Sequence, residues 1–357
     1  MLGLPPASRS DRPVPTPLGR FHVPVPDYLD TGSLGLPTIA TVAAMHDAVD
    51  AWQRGQARAP DYDAAVAACR AAFAELVGVE ASTVAVGSQV SVLIGTVATS
   101  LAPGTEVLCP EGDFTSVLFP FLAREDLEVR LVPLEALAEE VRPSTGLVAF
   151  SISADGRIAD VDAITAAAAE HDAMTLADAT QACGWLPVAA SRFDVVVAGA
   201  YKWLLSPRGT AFMFVRPDRL HDLVPVNAGW YAGADVWTSI YGGPLRLAGD
   251  ARRLDVSPAW LAWVGTGPAL QAILDLGVDT IHRHDVALSD RFCDGLELPR
   301  TGSAIVSVAA SDAQLAALEA AGVRASVRAG RVRACFHVTT DETDVDRAVA
   351  ALRSARP

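Results

Sequence analysis

Residues 174–205 read MTLADATQACGWLPVAASRFDVVVAGAYKWLL and contain two short apolar runs that specify the architecture. The first, residues 174–178, closes on Asp178. The second, Val195 to Ala198, follows Asp194 and leads through Gly199 to Lys202. Apolar runs this short, without polar alternation, predict strands covered on both faces. The same unit repeats outward. Strands are expected at residues 83–86, 106–109, 128–132, 146–151 and 210–215. Helices are expected at 36–54, 62–76, 90–101, 115–123 and 161–171, with a short turn at 180–185. Buried strands alternating with helices predict an α/β fold around one largely buried sheet.

The two ends of the chain read differently. Prolines crowd residues 1–27, which predicts an extended, weakly ordered arm. The last part holds a long helix from near Ala269, a strand at 304–309 and a helix at 312–321. Strands at 323–327 and 332–336 and a final helix from Asp341 complete a compact α+β module. The expected organisation is an arm at 1–27, a large domain at 28–265 and a small C-terminal domain at 266–357.

A chain of 357 residues, 51% hydrophobic and 20% charged, has ample apolar material for such a core. Its net charge of -14 argues against nucleic acid and anionic membranes as partners, since both select clustered Lys and Arg. No apolar run approaches the length of a membrane span, about 18 residues. The first twenty residues lack the apolar centre and cleavage site of a signal peptide. Cys69, Cys109, Cys183, Cys293 and Cys335 form no CxxC pair, so neither a disulfide framework nor a zinc site is expected. A reducing cytoplasm fits that usage. Demanding chemistry then falls to side chains or an organic cofactor.

Lys202 directly follows a buried strand in a chain whose cations are nearly all arginine. It reads either as a lysine leaving the sheet for solvent or as a functional amine. Open α/β sheets bind ligands at the carboxyl ends of their strands, and a lysine there with a lowered pKa attacks carbonyls. Asp178 ends another strand, and alone it reads as a helix cap. Together the two supply what pyridoxal 5′-phosphate (PLP) needs: a lysine for the aldehyde and a carboxylate that keeps the pyridine nitrogen protonated. Gly87-Ser88-Gln89-Val90-Ser91 lies between a strand and a helix, where backbone amides and the helix dipole bind phosphate. Ser88 as a plain N-cap is the competing reading.

Asp178-Ala-Thr-Gln181, followed by Ala200-Tyr-Lys202-Trp-Leu-Leu-Ser-Pro-Arg-Gly209-Thr-Ala-Phe, resembles the core of the class V aminotransferases. That group includes cysteine desulfurases, kynureninases, isopenicillin N epimerase-like proteins and C–S lyases. The resemblance runs from Tyr28-Leu-Asp-Thr-Gly-Ser33 to Val332-Arg-Ala-Cys-Phe-His337. It implies fold type I: a large domain around a mainly parallel seven-stranded sheet, a small C-terminal domain, and a homodimer with the active site at the subunit interface. It further implies a PLP Schiff base on Lys202, a pyridine contact from Asp178 and a ring-hydroxyl contact from Gln181. Ser88 and Gln89 fall at the phosphate turn, Phe114 at the ring that stacks on the cofactor, and Ser257 at a hydroxyl reaching the neighbouring subunit's phosphate. Arg333 matches the arginine that clamps a substrate α-carboxylate. Trp230, in a glycine-flanked loop, is expected to shape the substrate pocket.

Three departures narrow the chemistry. Ser151-Ile-Ser-Ala-Asp-Gly156 stands where many relatives carry Asn, so that cofactor contact is lost or falls to Ser153. Tyr201 replaces the His that precedes the lysine in cysteine desulfurases. No cysteine lies in a Gly/Ser-rich loop between Lys202 and Arg333, which argues against persulfide chemistry. The expected activity is that of a PLP-dependent aminotransferase on a small amino acid, with a C–S or C–C lyase or an epimerase as the alternative. A non-catalytic scaffold would need neither Lys202 nor Asp178. A nucleotide-dependent enzyme would need a GxGxxG or GxxxxGK[ST] loop, and none is present.

Overall fold

The computed structural model describes residues 22–328 and 330–355, so residues 1–21 of the expected arm lie outside the described residues. The main sheet contains β1 (Val84–Gly87), β2 (Glu106–Pro110), β3 (Glu128–Val132), β4 (Thr145–Ser151), β5 (Met174–Asp178), β6 (Val195–Gly199) and β7 (Ala211–Val215). Their order across the sheet is β1-β7-β6-β5-β4-β2-β3. Neighbours are parallel from β6 to β3, while β7 runs antiparallel to both β1 and β6. β1 therefore points the same way as β6, and the carboxyl ends of β1, β4, β5 and β6 share one rim.

Burial follows the period of a strand. Val196 and Ala198 of β6 join an apolar cluster with Phe73, Phe150, Phe212 and Trp263, whereas Val195 and Val197 join Leu93, Ile94, Val107 and Phe121. Successive side chains feed opposite faces, so both faces must be covered. The covering helices include α2 (Asp63–Val77), α3 (Val90–Ser100), α4 (Thr115–Leu122) and α5 (Val161–Glu170), while α1 (Ile39–Gln53) is mostly exposed and packs on the helix that follows residue 259. β3 differs because it is the edge strand. It is half exposed and carries Glu128 and Arg130, charges that discourage pairing with another chain.

The remaining elements are α6 (Trp260–Leu276), α7 (Val278–Leu296), β8 (Ile305–Ala309), α8 (Asp312–Ala320), β9 (Ser326–Arg328), β10 (Arg331–Cys335) and α9 (Glu342–Ser354). The three strands form a second, antiparallel sheet in the order β8-β10-β9. The strand and helix pattern predicts an α/β fold with a small α+β unit, and the resemblance implies the mostly parallel seven-stranded sheet; both are observed.

Two local expectations differ from what is observed. The long helix from Ala269 is two helices, α6 and α7, broken at Gly277, whose φ of 76° suits glycine. α6 also starts earlier than expected and runs through Gly265-Thr-Gly-Pro268, so the expected boundary at 266 falls inside a helix. Gly265 is there for packing: a Cβ would sit 2.6 Å from Pro207 Cγ and 2.9 Å from Met45 Cγ. Thr41 Oγ1 of α1 donates to the Gly265 carbonyl at 3.2 Å across the same contact. Secondly, the strand expected at 323–327 is only β9, because the segment at 27–30 pairs beside it. Leu29 N donates to Arg324 O (2.8 Å) and Cys335 N donates to Leu29 O (2.9 Å), placing Leu29 in the small domain's core.

Among the described residues no single helix is long and apolar enough to cross a membrane; α6 and α7 pass that test only as a pair bent by 81°.

Candidate active site

A cleft of about 930 Å³ opens at the shared carboxyl rim of the sheet and is closed on its other side by β8, β9 and β10. Each strand end delivers one polar group. Ser88 and Gln89 follow β1, Ser151 ends β4, Asp178 ends β5 and Lys202 follows β6. Arg328, Arg331 and Arg333 enter from the small sheet.

Lys202 is only 6% exposed, and its Nζ lies 5.3 Å from the Phe114 ring centroid and 5.7 Å from that of Tyr201. Burial lowers its pKa to about 8, against the opposing pull of Asp178. The turn that carries it is held from several sides. Gly35 N donates to Tyr201 O (2.9 Å), and a Cβ on Gly35 would lie 2.0 Å from the Lys202 carbonyl oxygen. His337 Nε2 approaches Trp203 O at 3.0 Å; a carbonyl only accepts, so this nitrogen carries the proton. The other ring nitrogen of His337 faces Asp285 Oδ2 at 2.8 Å, which fixes the imidazole in place.

Asp178 is 4% exposed. Its Oδ1 accepts from Thr180 N (2.8 Å), and its Oδ2 accepts no hydrogen bond among the described residues. Burial raises its pKa to about 6. A desolvated carboxylate with an open oxygen suits a ligand cation or N–H donor. Gln181 lies beside it. The indole N–H of Trp203 can only donate, so it sets the amide: Oε1 accepts from Trp203 Nε1 (2.7 Å) and Nε2 donates to Gly32 O (3.0 Å). One Nε2 hydrogen remains for a ligand.

Ser88 precedes α3, whose N-cap Gln89 makes no side-chain cap and whose first turn holds no acidic residue. The first backbone N–H groups of α3 are thus available to an anion. Phe114 is half exposed, and its position depends on a residue that sequence reasoning passed over. Asp113 accepts from Phe114 N (2.6 Å), Ser151 N (2.7 Å) and Ser151 Oγ (2.5 Å), which ties the loop to the end of β4. The signal was an acidic residue directly before the aromatic one. Arg328 and Arg331 were also missed; only their strand neighbour Arg333 matched a motif.

The cleft therefore brings together Ser88, Gln89, Phe114, Asp178, Gln181, Lys202 and Arg333. It does not include Ser257, which is exposed just before α6, or Trp230, whose ring packs on Tyr231 and Trp237 with centroids 5.4 and 5.2 Å away. Ser153 is fully buried with its Oγ unpartnered and does not line the cleft; Ser151 takes the position facing it. All five cysteines are buried and none lines the cleft.

The family model for class-V aminotransferases matches residues 48–329, and the chain belongs to that family, whose members depend on PLP. An uncharacterized aminotransferase of Bacillus subtilis, YcbU, is 26% identical over 59% of this chain and 60% of its own length. The isopenicillin N epimerase of Streptomyces clavuligerus is 27% identical over 48% of this chain and 44% of its own length. The matched region thus spans roughly half the length of these curated relatives. Among solved structures, the cystine C-S lyase C-DES, in complex with its product cysteine persulfide, superposes with a TM-score of 0.84 at 22% identity. That alignment covers 93% of this chain and 98% of the lyase. At that identity the likeness speaks for the fold.

Asp178→Asn keeps the shape and the bond to Thr180 N but removes the charge. The expected result is a folded protein whose turnover falls on the order of 10²–10³-fold, the usual cost of losing one preorganised electrostatic contact. Steady-state kinetics beside a thermal melt would check it.

Proposed function

We propose that this chain acts at the α-carbon of a small amino acid, with Lys202 holding the aldehyde carbon of PLP and transamination as the default reaction. One observation carries this reading: a desolvated amine and a desolvated carboxylate, Lys202 and Asp178, follow adjacent strands into one cleft. The rest of the donor set fits the same group. The amides after Gly87 suit the phosphate, Asp178 Oδ2 the pyridine N–H, the remaining Gln181 hydrogen the ring hydroxyl, and Phe114 the ring face.

When bound, PLP supplies an aldehyde that condenses with amines and a ring that accepts the electron pair released when a bond to the α-carbon breaks. The chain's own residues do the rest. Arg333 binds the substrate carboxylate: its Nε and Nη2 donate to Ser326 Oγ (3.2 Å) and Ser33 Oγ (3.0 Å), which orients the guanidinium and leaves Nη1 free. Lys202, with its lowered pKa, takes the α-proton near neutral pH and returns it to carbon. Phe114 and Tyr201 keep water from its Nζ.

A second reading is favoured by Phe114, which places no acid or base over the amine. With Lys202 as the proton carrier, elimination by a C–S or C–C lyase, or epimerisation, is equally open. The working unit in either case is a homodimer in the cytoplasm. There the exposed Ser257 reaches the second subunit's phosphate and Trp230 borders its substrate pocket. Light scattering at the expected dimer mass checks the assembly.

The discriminating experiment is an amino-acid screen of the yellow holoenzyme. Transamination releases no ammonia and, without an acceptor oxo acid, stops after one equivalent of 2-oxo acid per site. Elimination yields pyruvate and ammonia without an acceptor. A colourless protein that PLP cannot reconstitute would sink both readings. Because the neutral amine is the nucleophile, PLP uptake by cofactor-free protein is expected to accelerate about tenfold per pH unit up to pH 8 and then level off. Stopped-flow absorbance would show this.

A further inference from the structure

The proposed function uses two of the cleft's cations, Lys202 and Arg333; of the other four, Arg157 pairs with Asp155 and Arg208 lies 4.8 Å over the Tyr201 ring, which leaves Arg328 and Arg331. Six cationic side chains line the cleft, Lys202 and Arg157, Arg208, Arg328, Arg331 and Arg333, against two carboxylates, Asp155 and Asp178. This excess of positive charge sits in a chain of net charge -14. Asp155 is already taken by Arg157, at 2.9 Å.

Arg328 and Arg331 stand directly opposite one another on β9 and β10, and Arg333 opposes Ser326 one step along the same face. Like charges in a directly opposed pair repel, and no carboxylate among the described residues offsets them. They are nevertheless held in place. Arg328 Nη2 donates to Ser33 Oγ at 3.3 Å, the same hydroxyl that accepts from Arg333 at 3.0 Å, so two guanidinium groups lie side by side. Arg331 donates to Ser307 Oγ (3.1 Å) and to the Ser307 carbonyl (2.6 Å). Neutral acceptors orient these arginines without neutralising them. That is the arrangement an anionic ligand completes.

We propose that Arg328 and Arg331 form a second anion subsite, and that the substrate is an amino acid whose side chain ends in an acidic group such as a carboxylate, sulfinate, sulfonate or phosphonate. This rests on the proposed function in one respect: Arg333 takes the α-carboxylate, which leaves the other two arginines for the distal group. The phosphate turn of α3 belongs to the main sheet, on the opposite wall of the cleft, so the cofactor does not consume them. The charge of Arg328 reaches far enough to help lower the pKa of Lys202, which places the subsite within electrostatic range of the reacting amine.

The test is equilibrium binding to the holoenzyme, measured by calorimetry with amine-free probes: succinate and glutarate against butyrate. The dicarboxylates are expected to bind about 10- to 100-fold more tightly, the range of one charge-assisted contact pair. Arg328→Gln with Arg331→Gln is expected to erase that preference while butyrate binding stays within about twofold. The surface variant Arg291→Gln, paired with Asp346 away from the cleft, controls for net charge and is expected to keep the preference. Equal affinity for the two probe classes, or a preference that survives in the double variant, would overturn the subsite. Failure of the proposed function is separable: it appears as protein that takes up no PLP, whatever the dicarboxylates do.

Discussion

Lys202→Ala is expected to lower turnover at least about 10³-fold and to leave the fold intact or slightly more stable. The first part follows from the proposed function, in which Lys202 both holds the cofactor and moves the α-proton. Lys202 is the only lysine in the sequence, so no neighbouring amine can substitute. The second part follows from its surroundings. Nζ makes no hydrogen bond among the described residues and sits between two rings, so its charge is largely desolvated. A folded-state pKa of about 8, against 10.5 in the unfolded chain, means the unfolded state holds more protons between those values. Stability of the cofactor-free protein therefore rises with pH across about 8 to 10.5, where burying a neutral amine costs less. Alanine removes that slope. Urea melts of both proteins at pH 7 and pH 10 would show wild type gaining on the variant.

Asp255→Ala should have the largest effect on stability, about 3–5 kcal/mol. Asp255 is fully buried; its Oδ2 lies 2.6 Å from Arg70 Nη2 and its Oδ1 accepts from Val86 N at 2.8 Å. Arg70 in turn donates to the carbonyl of Val84. The pair thus ties α2 to β1 and to the chain entering α6. Removing the carboxylate strands a guanidinium in the core and frees β1, the strand that leads into Ser88 and Gln89. Weaker PLP retention should accompany the lower melting temperature. Arg70→Met combined with Asp255→Leu is expected to recover most of the stability, because an apolar pair leaves no orphaned charge. A double variant no better than Asp255→Ala would mean that the bond to Val86 N matters more than the ion pair.

The main sheet was legible because its strands are short, apolar and bounded by turns, and because burial on both faces leaves a continuous run rather than alternation. Lys202 and Asp178 were legible for a related reason: a charged residue ending such a run stands out. The helix through Gly265 and Pro268 was not. Glycine there serves the approach of α1, a contact between segments more than two hundred residues apart, which no local pattern encodes. The pairing of Leu29 with Arg324 and Cys335 was hidden likewise, since three residues beside a sheet carry no periodicity. Asp113 went unread because its partners, Phe114 N and the end of β4, meet only in the fold. Arg328 and Arg331 went unread because only the pairing of β9 with β10 brings them to the cleft.

The central claim is that Lys202 holds PLP, and covalent trapping tests it most directly. Holoenzyme reduced with borohydride, digested after arginine and analysed by mass spectrometry should carry one phosphopyridoxyl group on the peptide spanning residues 193–208. Absorbance of the unreduced protein near ~420 nm should vanish with the same treatment. Absence of the label, or a label confined to the N-terminal amine, would contradict it.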